Sequence, residues 1–229
     1  MKPDISVIVP VLYEEERINS VVDHVRGLAD KSCIEIIVAD GDPRGSTARA
    51  VTDKDVKTLV SARGRAVQMN AGAAQARGHV LLFLHADTLL PSGAFREIIR
   101  VTSSEKFEGG AFSPGFDDGY WWIRASAFMA RHRTRLSRVP FGDQGIFLKR
   151  DYFRKIGGYA DIPLMEDIEL MRRIKKSGGR IYISENNVVT SARKWRQDGI
   201  YFTTFRNWTL QLLYLAGVNP ERLVKYYYR

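Results

Sequence analysis

Short apolar runs alternate with longer polar, helix-compatible stretches through the first 90 residues of the chain. The runs at residues 5–9, 33–39, 56–60 and 79–84 read as strands, and residues 14–28, 44–51 and 64–76 between them as helices. Each helical stretch is long enough for a crossover, so the pattern predicts βαβ units in a mostly parallel sheet. The third helix is rich in alanine, and such small side chains permit close packing on a sheet. Beyond Pro91 the alternation weakens. Residues 92–100, 120–137, 151–156, 165–176, 199–216 and 220–228 read as helices; residues 141–148, 180–183 and 188–191 read as extended, with the glycine-rich Gly109-Gly110-Ala111-Phe112 between. No internal repeat and no linker-like tract divides the chain, which predicts a single α/β domain.

Composition adds an anionic partner to this picture. The 229 residues carry a formal charge of +9, 45% are hydrophobic and 27% charged, which suits one well-cored domain. More than half of the excess charge lies after residue 189, where seven basic side chains face only Asp198 and Glu221. Net charge alone does not choose among a diphosphate, a nucleic acid and an acidic lipid surface. The single cysteine, Cys33, sits in an apolar run and is expected to pack as a small hydrophobe; with no partner it forms no internal disulfide, which fits a reducing cytosol. The start of the chain lacks the long apolar region of a secretory signal, and no stretch reaches the roughly 18 uncharged apolar residues of a spanning helix. A cytoplasmic location is expected, with the basic, aromatic tail available for peripheral contact with an anionic membrane at the inner face of the cell membrane.

In an open parallel sheet, ligands bind beyond the carboxyl ends of the strands, so the polar residues there carry the candidate chemistry. Strand one ends at Pro10 and is followed by Glu14, strand two ends at Asp40-Gly41, strand three is followed by Arg63-Gly64-Arg65, and strand four ends His85-Ala86-Asp87. Together they suit a nucleotide diphosphate and a divalent metal. His85 and Asp87, two apart at an extended strand end, point to one side, and a carboxylate with diphosphate oxygens and water suits Mn²⁺ or Mg²⁺. Asp40 can accept hydrogen bonds from a base or ribose or simply open an Asp-Gly turn; Arg63 can offer its fork to a phosphate or start a helix. Farther on, Gly142-Asp143-Gln144-Gly145 places polar residues in an apolar stretch or in a tight turn, and Glu166-Asp167 opens a helix, where its dipole also favours acids.

These residues, taken in order, resemble the inverting family 2 glycosyltransferases of the GT-A fold. The resemblance rests on Ile5-Ser6-Val7-Ile8-Val9-Pro10, Ala39-Asp40-Gly41, Arg63-Gly64 through Asn70-Ala71-Gly72, His85-Ala86-Asp87-Thr88, Gly142-Asp143-Gln144 and Glu166-Asp167, over about the first 180 residues. More narrowly, residues 63–70, 84–88 and 163–169 resemble a small bacterial subfamily with automatic names such as arsenosugar-biosynthesis or carotenoid-acid glycosyltransferase. The resemblance implies a Rossmann-like central sheet, mostly parallel and flanked by helices, with C-terminal helices after it. It implies a nucleotide-sugar-binding half over residues 1–90, an acceptor and catalytic half over 91–190, and a helical aromatic and basic tail over 191–229. By the same resemblance, Pro10, Glu14, Asp40, Arg63, Asn70, His85 and Asp87 bind the nucleotide sugar, a UDP-sugar by family habit. Asp87, with His85, is on the metal side; Gly142, Asp143 and Gln144 meet the acceptor; and Asp167 is the base, supported by Glu166. The family's usual Asp-x-Asp appears here as His85-x-Asp87, and no histidine follows His132 to serve as a later ligand.

The implied partners are a nucleotide-diphosphate sugar and a small-molecule or lipid-linked acceptor, with no nucleic acid. A sugar-1-phosphate nucleotidyltransferase is the competing enzyme, but residues 10–16 lack its glycine-rich phosphate loop. The non-enzymatic rival is a basic nucleic-acid or membrane-binding protein using Arg131 to Arg135 and the tail. There Trp195, Tyr201, Phe202, Phe205, Trp208, Tyr214 and Tyr226 to Tyr228 are expected chiefly to pack the closing helices onto the domain.

Overall fold

The structure is a computed structural model that describes residues 2–29 and 33–227. In chain order its elements are β1 (Ile5–Val11), α1 (Ile18–Leu28), β2 (Ile34–Asp40), α2 (Ser46–Ala50), β3 (Lys57–Val60), α3 (Arg65–Gln75), β4 (Val80–Phe83) and β5 (Thr88–Leu89). There follow α4 (Ala94–Thr102), β6 (Gly109–Ser113), α5 (Trp121–Ser137), β7 (Ile146–Lys149), α6 (Arg150–Lys155), α7 (Glu166–Lys176), β8 (Ile181–Asn187), β9 (Val189–Thr190), α8 (Arg193–Asp198), α9 (Ile200–Leu215) and α10 (Pro220–Tyr227). Seven strands form one sheet in the order β3-β2-β1-β4-β7-β6-β8, and β5 pairs with β9 in a separate ribbon. In the seven-stranded sheet the strands run parallel except β7, which is antiparallel to β4 and β6; the β5–β9 ribbon is antiparallel.

The continuous apolar runs exist because both faces of this sheet are covered. On one face Ile5, Val7, Val9, Ile36, Val38 and Leu82 pack against α1 and α4; on the other, Ile8, Ile37, Leu81 and Phe83 meet α3 and α7. Small residues set the spacing. A Cβ on Gly72 would lie 2.5 Å from Ile8 Cγ2, so α3 sits against β1 at a distance only glycine allows.

Several sequence expectations change here. Residues 141–148 are not one strand: Gly142–Gln144 forms a 3-10 turn before β7, closed by Gln144 Oε1 accepting from the Phe141 N–H at 2.8 Å, with Gly145 at φ +59°. The tight turn on two glycines is therefore the correct local form. Cys33 is exposed rather than packed, because it precedes the buried part of β2 and its N–H turns to the Asp4 carboxylate. Most tail aromatics stay outside the core. Tyr214 and Tyr227 pack with Leu164, Leu210 and Leu223, but Tyr201, Phe202, Phe205, Trp208 and Tyr226 are exposed. The Trp195 side chain, Tyr228 and Arg229 lie outside the described residues.

At the opposite, amino end of the parallel strands, Glu35 holds a buried polar knot. It accepts from Ser6 Oγ at 2.6 Å, Lys57 Nζ at 2.8 Å and the Arg77 and Gly78 N–H groups. Burial pushes its carboxyl up, but the bonds from Lys57, Ser6 and Arg77 outweigh that and hold it down at about 2. A depressed carboxylate contributes stability that is present above its unfolded range and lost as pH falls toward the folded value. Glu35→Gln is therefore expected to lose roughly 2–4 kcal/mol at pH 7 and progressively less as pH falls from about 4.5 toward 2, read by urea denaturation across pH.

Candidate active site

The carboxyl end of β4, the start of α3, the 3-10 turn, the start of α7 and one side each of α5 and α9 converge on a cavity of about 480 Å³. Its lining includes Arg65, His85, Asp87, Arg133, Gly142, Asp143, Gln144, Glu166 and Asp167. Each arrives by a local device. After β4 the chain turns, with the Thr88 N–H donating to the His85 carbonyl at 3.1 Å, so His85 and Asp87 flank a turn rather than an extended strand end. Gly142 lies between the two sides: a Cβ there would stand 2.9 Å from His85 Nε2 and 4.0 Å from Asp167 Oδ2. The Gly142 N–H donates to Asp167 Oδ2 at 2.9 Å, and the Ile168 N–H holds Oδ1 at 2.7 Å.

The turn into α7 is strained. Met165 has φ +67°, a left-handed conformation costly for a residue with a Cβ, and it aims Glu166 and Asp167 into the cavity from the helix start. Glu166 is buried, and burial together with the neighbouring Asp167 charge pushes its carboxyl up to about 7, opposed by Arg65. Burial likewise raises Asp143 to about 6, helped by Asp167 and Asp87 and opposed by Arg133 and Arg65. Asp167 is also raised by burial, opposed by the Gly142 and Ile168 N–H groups and by both arginines, which favour its charge. Burial lowers Arg133 to about 10 against the pull of Asp143 and Asp167, and its guanidinium lies 3.4 Å above the Phe141 ring centroid. His85 is lowered to about 4 by burial and by Arg65, so its imidazole is neutral at pH 7, and its Nε2 is buried with no hydrogen-bond partner.

Other sequence-derived candidates lie elsewhere. Asp40 is 0% exposed, and its two oxygens accept the Asp42 and Ala48 N–H groups, each at 2.9 Å. Its job is to close the turn after β2, the plainer of its two readings. Arg63 is exposed and outside the cavity lining; the guanidinium that acts on His85, Asp143, Glu166 and Asp167 is Arg65, brought round by the φ +142° of Gly64. Asn70 is spent on backbone, donating to the Tyr159 carbonyl at 2.8 Å and accepting its N–H at 2.9 Å. Its influence on the site is indirect, because Glu166 and Asp167 both act on the Tyr159 hydroxyl. Gln144 lines the cavity, but its amide oxygen is committed to Phe141 and Thr134. Pro10 is half-buried within β1. Glu14 stands at the same sheet edge, where its carboxyl is raised by burial and by Asp87, against Arg17 and Arg193.

The profile of glycosyl transferase family 2 matches residues 6–160. The chain belongs to that family. No curated protein sequence matches it. Among solved structures, it is similar to a mannosyltransferase from Pyrobaculum calidifontis in complex with GDP-Man and Mn2+, at 20% identity and a TM-score of 0.70, covering 96% of this chain and 67% of that one. The shared architecture is the GT-A fold with its mostly parallel sheet, as the sequence resemblance implied. For this glycosyltransferase the family match stops before Glu166 and Asp167, so the acidic pair lies beyond the matched segment. Sequence reasoning put both Arg63 and Arg65 at this edge but favoured Arg63, and it missed Arg133 as a cavity residue. The only signal for Arg133 was its place in a basic run, which reads equally as a solvated helix face.

Because folding raises the Asp143 carboxyl, its ionised form burdens the native state: the penalty is absent below the ordinary carboxylate range near pH 4 and complete once pH passes about 6. Asp143→Asn is expected to melt at a higher temperature than the parent above pH 6, with the gap closing by pH 4. Thermal melts at stepped pH check this, and a gap independent of pH would refute the assignment.

Proposed function

We propose that this glycosyltransferase moves a sugar from a nucleoside-diphosphate donor, UDP by family habit, to an acceptor hydroxyl with inversion at the anomeric carbon. The observation that carries the reading is the meeting of Glu166 and Asp167 with His85, Asp87 and Arg65 in one partly buried cavity at the sheet's carboxyl edge. The motifs at residues 63–70, 84–88 and 163–169 support placing the chain in the small bacterial subfamily they resemble. The acceptor is a small molecule or a lipid-linked one.

Asp167 takes the acceptor proton. Its Oδ2 and Oδ1 are oriented by the Gly142 and Ile168 N–H groups, and burial keeps it basic enough to accept a proton while Arg65 and Arg133 limit the shift. As that proton leaves, the acceptor oxygen bonds to the anomeric carbon and the bond to the diphosphate oxygen breaks on the opposite face. Glu166, held near neutrality, shares the buried charge and contacts the acceptor. Asp143 on its turn orients the acceptor, a contribution of positioning. Arg65 stands where the charge of the departing diphosphate develops.

The donor set fits a divalent cation. His85 offers a neutral, buried and unpartnered Nε2, and Asp87 a carboxylate, leaving diphosphate oxygens and water to complete the shell. Among the described residues no group of three or more His, Cys, Asp or Glu side chains could hold a metal, so the substrate supplies the rest. A nitrogen donor makes Mn²⁺ a better match than Mg²⁺. When bound, the ion supplies charge neutralisation to the leaving diphosphate.

A panel of UDP- and GDP-sugars, scored by binding and slow hydrolysis, tests the enzyme class and the donor together; absence of binding to every member would sink the reading. With the right donor and acceptor, Asp167→Asn is expected to lower kcat about 10²-fold or more with donor affinity little changed. Wild-type turnover would remove Asp167 as the base. Mn²⁺ is expected to tighten UDP binding to the parent and not to Asp87→Ala, measured by titration calorimetry.

A further inference from the structure

Helix α9 is built inside out. Its inward positions carry Thr203, Thr204 and Asn207 beside a single buried leucine, Leu210, while Phe205, Leu212 and Leu215, with Trp208 at the cavity rim between them, are exposed at spacings of three and four. Phe205 is 58% and Leu212 68% exposed. On the inner side Thr203 Oγ1 and Asn207 Oδ1 are buried, unpartnered and part of the cavity lining. An amphipathic helix in water has the reverse arrangement, so the outer face of α9 suits an apolar surface rather than water.

The neighbouring α5 extends this surface with Trp121, Phe128 and Leu136 exposed, and it carries four arginines with no acidic residue. Arg124 and Arg135 on α5, Arg193 on α8 and Lys225 on α10 are exposed as well. Aromatic and aliphatic side chains among fixed positive charge are the composition that lies in the headgroup region of an anionic bilayer. At about 1.5 Å per residue, the 16 residues of α9 fall short of the roughly 30 Å hydrocarbon core. Among the described residues no helix is long and apolar enough to cross a membrane.

We propose that the outer faces of α9 and α5 seat this protein on an anionic lipid bilayer, with α9 lying in the plane of the surface. Apolar burial supplies affinity, and the arginines and lysine choose the anionic leaflet. The seat does not depend on the sugar-transfer reading.

The test is flotation of the full chain with phosphatidylcholine vesicles, with and without phosphatidylglycerol, for the parent and for a Phe205→Ser/Leu212→Ser double variant. Both positions are exposed and outside the cavity lining, so the variant keeps its fold, and an unchanged thermal melt verifies that. The parent is expected to float with the phosphatidylglycerol vesicles, weakly with phosphatidylcholine alone, and less as salt rises. The variant is expected to bind at least about tenfold more weakly. No flotation in any condition overturns the proposal, as does equal flotation of parent and variant. A parent that sediments as a dimer, fails to float and becomes monomeric in the variant assigns the face to a second copy instead. Nucleotide-sugar hydrolysis, measured on the same samples without vesicles, reports on the enzyme reading independently.

Discussion

Mutual repulsion among buried carboxylates is the constraint around which this molecule is arranged. Asp143, Glu166 and Asp167 share one cavity with Asp87, and water is too scarce there to screen them. Two guanidiniums, Arg65 and Arg133, and the N–H groups of Gly142 and Ile168 make the crowding tolerable. Every one of these supports depends on something more remote. Arg65 reaches the site only because α3 lies close on β1, a proximity fixed by Gly72 against Ile8. Glu166 and Asp167 reach it only because Met165 is held in a left-handed conformation. Stability is given up locally, and carboxyls with raised proton affinity face the cavity as a result.

Much of this architecture was legible in the chain because it depends on short-range pattern. The runs at residues 5–9 and 33–39 are apolar at nearly every position since β1 and β2 are covered on both faces, and periodicity reports that directly. The polar groups at the strand ends were likewise found where a parallel sheet puts them. Choosing among those groups was harder. Arg63 precedes α3 and Arg65 opens it, with Gly64 at φ +142° turning the chain between them. Asp40 and Asn70 have side chains suited to a ligand, yet their partners are backbone groups, and in the case of Asn70 these lie 89 residues away. Gln144 turned inward because the 3-10 turn needs a cap. Such assignments are made by tertiary contacts that no local pattern encodes.

The cavity has two halves with different origins. Arg65, His85 and Asp87 come from the βα loops of the parallel sheet, within the segment that the family profile matches. Glu166 and Asp167 follow that segment, and Thr203, Asn207 and Leu210 on α9 follow it farther still. The first half therefore lies within the segment shared with the family profile, and the half facing it lies beyond that segment. Hydroxyl, amide and apolar side chains line the second half, against the charged side chains of the first.

That division gives the inverted helix a second consequence. A helix with Thr203 and Asn207 turned toward a cavity and Phe205, Leu212 and Leu215 turned outward packs on its own domain chiefly through Leu210 and Tyr214. Hydroxyl and amide groups facing a cavity leave hydrogen-bonding capacity for a polar ligand, and an apolar outer face in water gains by being covered. The two faces of α9 therefore suit two different partners: a polar ligand on the cavity side and an apolar surface on the outer side.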